Sequence, residues 1–209
     1  IPKRDWSSDV CSSDLKLAST GPVGVSAGAV WAQSEPQVGR EYRAVNPAQA
    51  VEAPAGRIEV LEFFAYWCPH CHSLEPELAD WRKRQGPDVV FRREHVSFRE
   101  TRIQQMHYAL VALGKADELA PKVFHALHVE RARLDSPQKM AEVLGLDAKA
   151  FAEVYESFSV KTRTRRGTQI SEAYGIDGVP AIAVGGKFLR SEEHTSELQS
   201  RFGISYAVF

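Results

Sequence analysis

An α/β plan with a helical insertion is predicted by three features of this 209-residue chain. An apolar run rich in β formers at 57–67 passes directly into helical sequence. A series of helical segments follows between about 101 and 174, and a glycine-paired hairpin signal lies near 179–189. Taken in order, "RIEVLEFFAYW" (57–67) is apolar on both faces and reads as a buried central strand. A helix is expected from Pro69, a residue suited to a first turn, to Arg84, with Pro76 bending it. "DVVFRREHVSF" (88–98) is the second strand. The helical block comprises 101–113, closed by Gly114, and 116–129, with a break expected at Pro121. Ser136 and Pro137 open the next helix and Gly145 closes it, while Asp147 caps another through Phe158. A last helix reaches Tyr174 before Gly175. "VPAIAV" (179–184) and "KFL" (187–189) then form strands joined through Gly185 and Gly186.

The length suits one domain able to bury its own core. A formal net charge of −1 gives no sign of a nucleic-acid or acidic partner. Arg163, Arg165 and Arg166 form a basic cluster, which reads as a solvated helix face.

The two ends read differently from the middle. "RSEEHTSELQS" (190–200) and the stretch 5–15 can be encoded by opposite strands of one DNA duplex, similar to a sequencing-library adapter. Residues 1–15 and 190–209 are therefore expected to be adapter read-through. This removes Cys11 and His194 from functional consideration and leaves two cysteines. Residues 16–32, "KLASTGPVGVSAGAVWA", resemble the end of a truncated secretory signal peptide with cleavage after Ala32. That leaves 33–189 as the folded domain, with the helical insertion at about 101–158. Export implies an oxidising compartment in which a cysteine pair can work as a disulfide.

Cys68 and Cys71 are that pair. Cys68 stands where strand gives way to helix, so its sulfur is expected to face unpaired N–H groups and the positive end of the helix dipole, which stabilise a thiolate. Cys71 lies one turn on and deeper. Pro69 fixes φ without wasting a donor, and His70 can add positive charge beside the Cys68 sulfur. The pair therefore reads as an attacking and leaving thiolate, Cys68, with a resolving partner, Cys71. A zinc site would need more ligands than the neighbouring His70 and His72 supply, so no metal is expected. A purely static bridge closing so short a loop would stabilise little. Glu62 shares strand parity with Ile58, Val60 and Phe64 and is expected to be buried. His95, His107, His125 and His128 read as core or surface residues.

"LEFFAYWCPHC", "HVSF", "FSVK", "GVPA" and "VGGKF" occur in the order and approximate spacing of the DsbA-like thiol:disulfide oxidoreductases, which the chain resembles from about 33 to 189. The resemblance implies a thioredoxin-like fold with a helical insertion, here with its C-terminal strand and helix truncated. It makes Cys68 the nucleophile and Cys71 the buried partner. It places Val179 and Pro180 in a loop whose cis proline faces the disulfide and whose backbone pairs with an extended substrate. It gives Glu62 the relay of the buried cysteine's proton, and sets Arg93 where the type member has lysine; arginine stays charged, so charge compensation rather than proton relay is expected there. The implied activity is that of a periplasmic dithiol oxidase donating its disulfide to newly exported, reduced proteins. The implied partner is a quinone-linked inner-membrane protein that reoxidises it, with no cofactor beyond the cysteine pair. A reductase or isomerase on the same fold, a peptide-binding holdase with incidental cysteines, and a cytosolic glutathione-linked transferase or isomerase are the alternatives.

Overall fold

The computed structural model describes residues 36–98 and 100–191. In chain order these form β1 (Arg43–Ala44), β2 (Ile58–Phe64), α1 (Pro69–Arg84), β3 (Val89–His95), α2 (Arg102–Ala112), α3 (Ala116–His128), α4 (Pro137–Leu144), α5 (Ala148–Glu156), α6 (Phe158–Ala173), β4 (Ala181–Val184) and β5 (Phe188–Ser191). The signal-like stretch 16–32, Cys11, His194 and the tail beyond Ser191 lie outside the described residues.

Because β2 is apolar on both sides, it needs cover on both sides, and it takes an inner place in a sheet ordered β1-β5-β4-β2-β3. It runs parallel to β3, with Glu62 opposite Arg93, and antiparallel to β4, with Glu62 opposite Ile182. On one face α1 lays Leu74, Leu78 and Trp81 against Val60, Phe91 and Ile182. A second, larger core joins Leu61, Phe63 and Ala183 of the sheet to Met106, Phe124, Met140 and Phe151 of the helices. Truncating a fully buried member such as Phe63 to alanine removes about 3–5 kcal/mol. Three residues, 185–187, join β4 to β5; Gly185 and Gly186 have φ of 56° and 70°, the left-handed values that let the Lys187 N–H donate back to Val184 O at 3.1 Å.

Several expectations are corrected. Both long strands end earlier than their apolar runs, at Phe64 and His95, where the Val96 N–H donates to Phe64 O at 2.7 Å and the chain leaves the sheet. No break occurs at Pro121: α3 continues through it. Pro121 is exposed, so the carbonyl deprived of its donor can turn to water, while Leu119, Ala120, Val123 and Phe124 anchor both halves on the core. Phe158 opens α6 rather than closing α5, because Ser157 caps the new helix by accepting from Val160 N–H at 3.3 Å. The basic cluster is not one solvated face. Arg163 reaches the fully buried Glu94, Arg166 pairs with Glu52 at 2.9 Å, and Arg165 alone of the three has no such partner among the described residues. Strand β5 runs past 189, with Arg190 opposite Ile182 and Ser191 opposite Ala181. The short β1 carried no apolar pattern to announce it; it exists through its pairing with β5.

Candidate active site

Where β2 ends, the Cys68 N–H turns back to Ala65 O at 3.0 Å and Cys68 becomes the N-cap of α1, with φ −83° and ψ 120°. Its sulfur therefore does what a capping oxygen would do: it accepts from the Cys71 N–H at 3.4 Å. Pro69 fills the first helical position, and the exposed His70 follows it. Both cysteines are free thiols and both are buried, Cys68 at 4% exposure and Cys71 at 0%. Cys68 is thus more enclosed than its position at a helix start suggests, since the Val179 loop closes over it.

That loop precedes β4. The Val179–Pro180 peptide is cis, as is Asn46–Pro47, which no sequence signal announced. The Cys68 thiol donates to Val179 O at 3.3 Å. This carbonyl favours the thiol, whereas the N–H groups around Sγ favour the thiolate. Donation from the Cys71 thiol is the main influence and outweighs burial; with the N–H groups of Cys71 and His70 and the charge of the His70 ring, it brings Cys68 down to about 6. Cys71 goes the other way: burial, then its own bond to Cys68, pushes it far above the ordinary thiol range.

Beneath the pair, Glu62 is fully buried, as its strand parity implies. Arg93 on the adjacent strand brings Nε within 2.6 Å of Glu62 Oε2, a close pairing of charges without the alignment of a hydrogen bond. The same guanidinium forms a fork with Glu75 of α1 and lies 4.2 Å over the Phe64 ring. Burial dominates Glu62 and raises it to about 7, against the lowering pull of Arg93 and with the help of Glu75. Despite burial, the two carboxylates hold Arg93 above its already high value, so it stays charged.

Cys68, Pro69, His70, Cys71 and Val179 thus converge at the start of α1, Pro180 is buried next to Val179, and Glu62 and Arg93 lie on the face that α1 covers. Glu75 was missed. The signal for it was available: it stands four residues after Cys71, on the same side of α1. No group of three or more His, Cys, Asp or Glu able to hold a metal occurs among the described residues, and none of their helices is long and apolar enough to cross a membrane.

This arrangement has relatives. The thiol:disulfide interchange protein DsbA of Burkholderia cepacia is 36% identical over 191 residues, covering 88% of this chain and 90% of the relative. That of Bordetella parapertussis is 44% identical over 163 residues, covering 76% and 77%. Among solved structures, a variant of Pseudomonas aeruginosa DsbA superposes with a TM-score of 0.73 at 32% identity, covering 77% of this chain and 89% of the other. The oxidoreductase DsbA of Xylella fastidiosa does so with 0.71 at 26%, covering 75% and 88%. The sequence also matches the DSBA-like thioredoxin domain over residues 59–203, which takes in β2 from its second residue, Cys68 and Cys71, the helical insertion and the Val179 loop. Matched by that family model over most of its length and 36% identical to a relative it covers to 90%, the chain belongs to the DSBA-like thioredoxin domain family.

Proposed function

We propose that this protein is a thiol:disulfide oxidoreductase that donates the Cys68–Cys71 disulfide to reduced proteins newly exported to the periplasm. The observation that carries the reading is the opposed state of two identical groups: Cys68 held toward the thiolate, Cys71 held away from it. A substrate thiolate attacks the Cys68 sulfur; the Cys68–Cys71 bond breaks and its electron pair goes to Cys71 Sγ, which takes a proton. Glu62 is poised near neutrality beneath the pair and is the group we assign to hand that proton over, with Arg93 compensating its charge. A second substrate thiolate then attacks its own sulfur in the mixed disulfide. Cys68 departs as a thiolate, and the substrate leaves oxidised by two electrons. The backbone of Val179, before Pro180, lies beside the Cys68 sulfur and would hold an extended substrate there. Regeneration needs a two-electron oxidant, which we assign to a quinone-linked inner-membrane protein.

The test is to mix the oxidised protein with a reduced peptide bearing two cysteines and follow peptide oxidation by mass. The wild type is expected to oxidise it stoichiometrically, and Cys68→Ser and Cys71→Ser, neither of which can form the internal disulfide, not at all; given the peptide in its oxidised form instead, Cys71→Ser is expected to attack it and be trapped as a mixed disulfide through Cys68. A wild type that binds the peptide but leaves its thiols intact would make this a holdase and defeat the reading.

A further inference from the structure

Tyr66 and Trp67 form the two-residue bridge between Ala65, whose carbonyl receives the Cys68 N–H, and the capping Cys68. Outside the sheet and before the helix, the backbone of Tyr66 has no ladder to join. Each of its three polar groups is instead held by a histidine from a different element. Its N–H donates to His95 Nε2 at 3.1 Å, its hydroxyl meets His107 Nδ1 at 3.3 Å, and its carbonyl accepts from His128 Nε2 at 2.8 Å. The rings come from the end of β3, the middle of α2 and the end of α3. His128 is in turn stacked at 4.8 Å on His72, the residue after Cys71, so the clamp touches the active-site helix itself as well as the turn before it.

We propose that His95, His107 and His128 are positioning residues that lock Tyr66 and thereby hold the Cys68 sulfur against its N–H donors. The hydrogen-bond roles follow from the partners. A backbone N–H can only donate, so His95 Nε2 is the bare nitrogen; a carbonyl can only accept, so His128 Nε2 carries the hydrogen. Burial keeps His95 and His107 neutral, His95 down at about 3, which preserves the acceptor on His95. Packing alone does not account for these rings. His95 Nδ1 and His107 Nε2 are buried without a partner, and an aromatic hydrocarbon would fill the same space without leaving polar atoms unpaired. What the imidazoles supply, and a phenyl ring would not, is the nitrogen facing Tyr66. The clamp also ties the helical insertion, through His107 and His128, to the turn that carries the nucleophile.

This inference rests on the exchange reading above only for its consequence, not for its measurement. In the reduced full-length chain, the Cys68 thiolate is titrated by its ultraviolet absorbance and folding is checked by thermal unfolding. His128→Leu and His95→Phe are expected to raise the Cys68 midpoint by roughly one unit, the loss of about one charge-assisted hydrogen bond at the sulfur. Tyr66→Phe, which removes only the hydroxyl, shifts it less. His128→Gln, whose side-chain amide can still donate to the Tyr66 carbonyl, restores the wild-type midpoint. Should His95→Phe fail to fold, His128→Leu and Tyr66→Phe decide the matter. Folded His128→Leu and Tyr66→Phe with unchanged midpoints would overturn the proposal and leave the clamp a purely structural device. The titration involves no substrate, so failure of the wild type to oxidise a reduced peptide would defeat the exchange reading and leave this measurement standing.

Discussion

Cys71 is held high first by burial, whereas Cys68 is held low by what the sulfur and nitrogens nearby donate to it. The thiol of Cys71 leads that list and the His70 ring closes it, so Cys71→Ala is expected to raise the Cys68 midpoint more than His70→Ala does, with ultraviolet titration as the check. A larger rise in His70→Ala would return the main role to the ring charge. Below the pair, Glu75 does two things to Glu62: it repels its charge and shares its cation. Glu75→Gln removes both, so Glu62 is expected to ionise below its present value of about 7, read from its carboxyl resonance against pH; an unmoved midpoint would show that Glu75 matters only to Arg93. The sequence made Cys68, Pro69, His70 and Cys71 legible because their geometry is fixed within one helical turn. The parity of Glu62 was equally local. Glu75 was as local and was overlooked, whereas the histidines around Tyr66 were not legible, since their roles arise only when β3, α2 and α3 are packed against that turn.

Helix ends in the insertion follow the same division between local and distant causes. Ser136 accepts from Lys139 N–H at 3.2 Å and Asp147 from Ala150 N–H at 2.7 Å, and Gly145 takes the left-handed φ of 72° that ends α4. Each was readable from a few residues, because a cap is satisfied by its own chain three positions on. Asp147→Ala is expected to lower stability by ~1 kcal/mol, a fall of roughly 2–4 °C in Tm for a domain of this size, without changing the Cys68 titration. A larger loss would mean that the carboxylate has a second role. Pro121 and the Ser157 junction were misread for the opposite reason. The fate of a proline or of two abutting helices is decided by which face meets the core, and Leu119, Val123 and Phe124 settle it for α3 from outside the local sequence. Arg163 likewise looked solvated until Glu94, on a strand far away in sequence, gave it a buried partner.

Across the whole molecule, the buried titratable groups act on stability in opposite directions, and their sum can be measured. His95 is neutral when folded but binds a proton near 6.5 when unfolded, and His107 behaves alike, so their contribution is present above that pH and is lost as it falls. Glu62 is raised from 4.5 to about 7, so its contribution is present below 4.5 and lost as pH rises through 7. Between pH 5 and 6 unfolding therefore takes up about two protons at these two histidines and releases about one from Glu62. For these three groups the net uptake of about one proton makes stability rise with pH by about 1.4 kcal/mol per unit. The oxidised protein isolates this balance, since neither Cys68 nor Cys71 then titrates and neither is among the causes that raise Glu62. Urea unfolding of oxidised Glu62→Gln, which has no proton to release there, is expected to steepen the slope to roughly 2–2.7 kcal/mol per unit. A slope unchanged by the substitution would mean that Glu62 is already ionised in the fold. It could not then be the group that hands a proton to Cys71, and the relay assigned to it would have to pass to water.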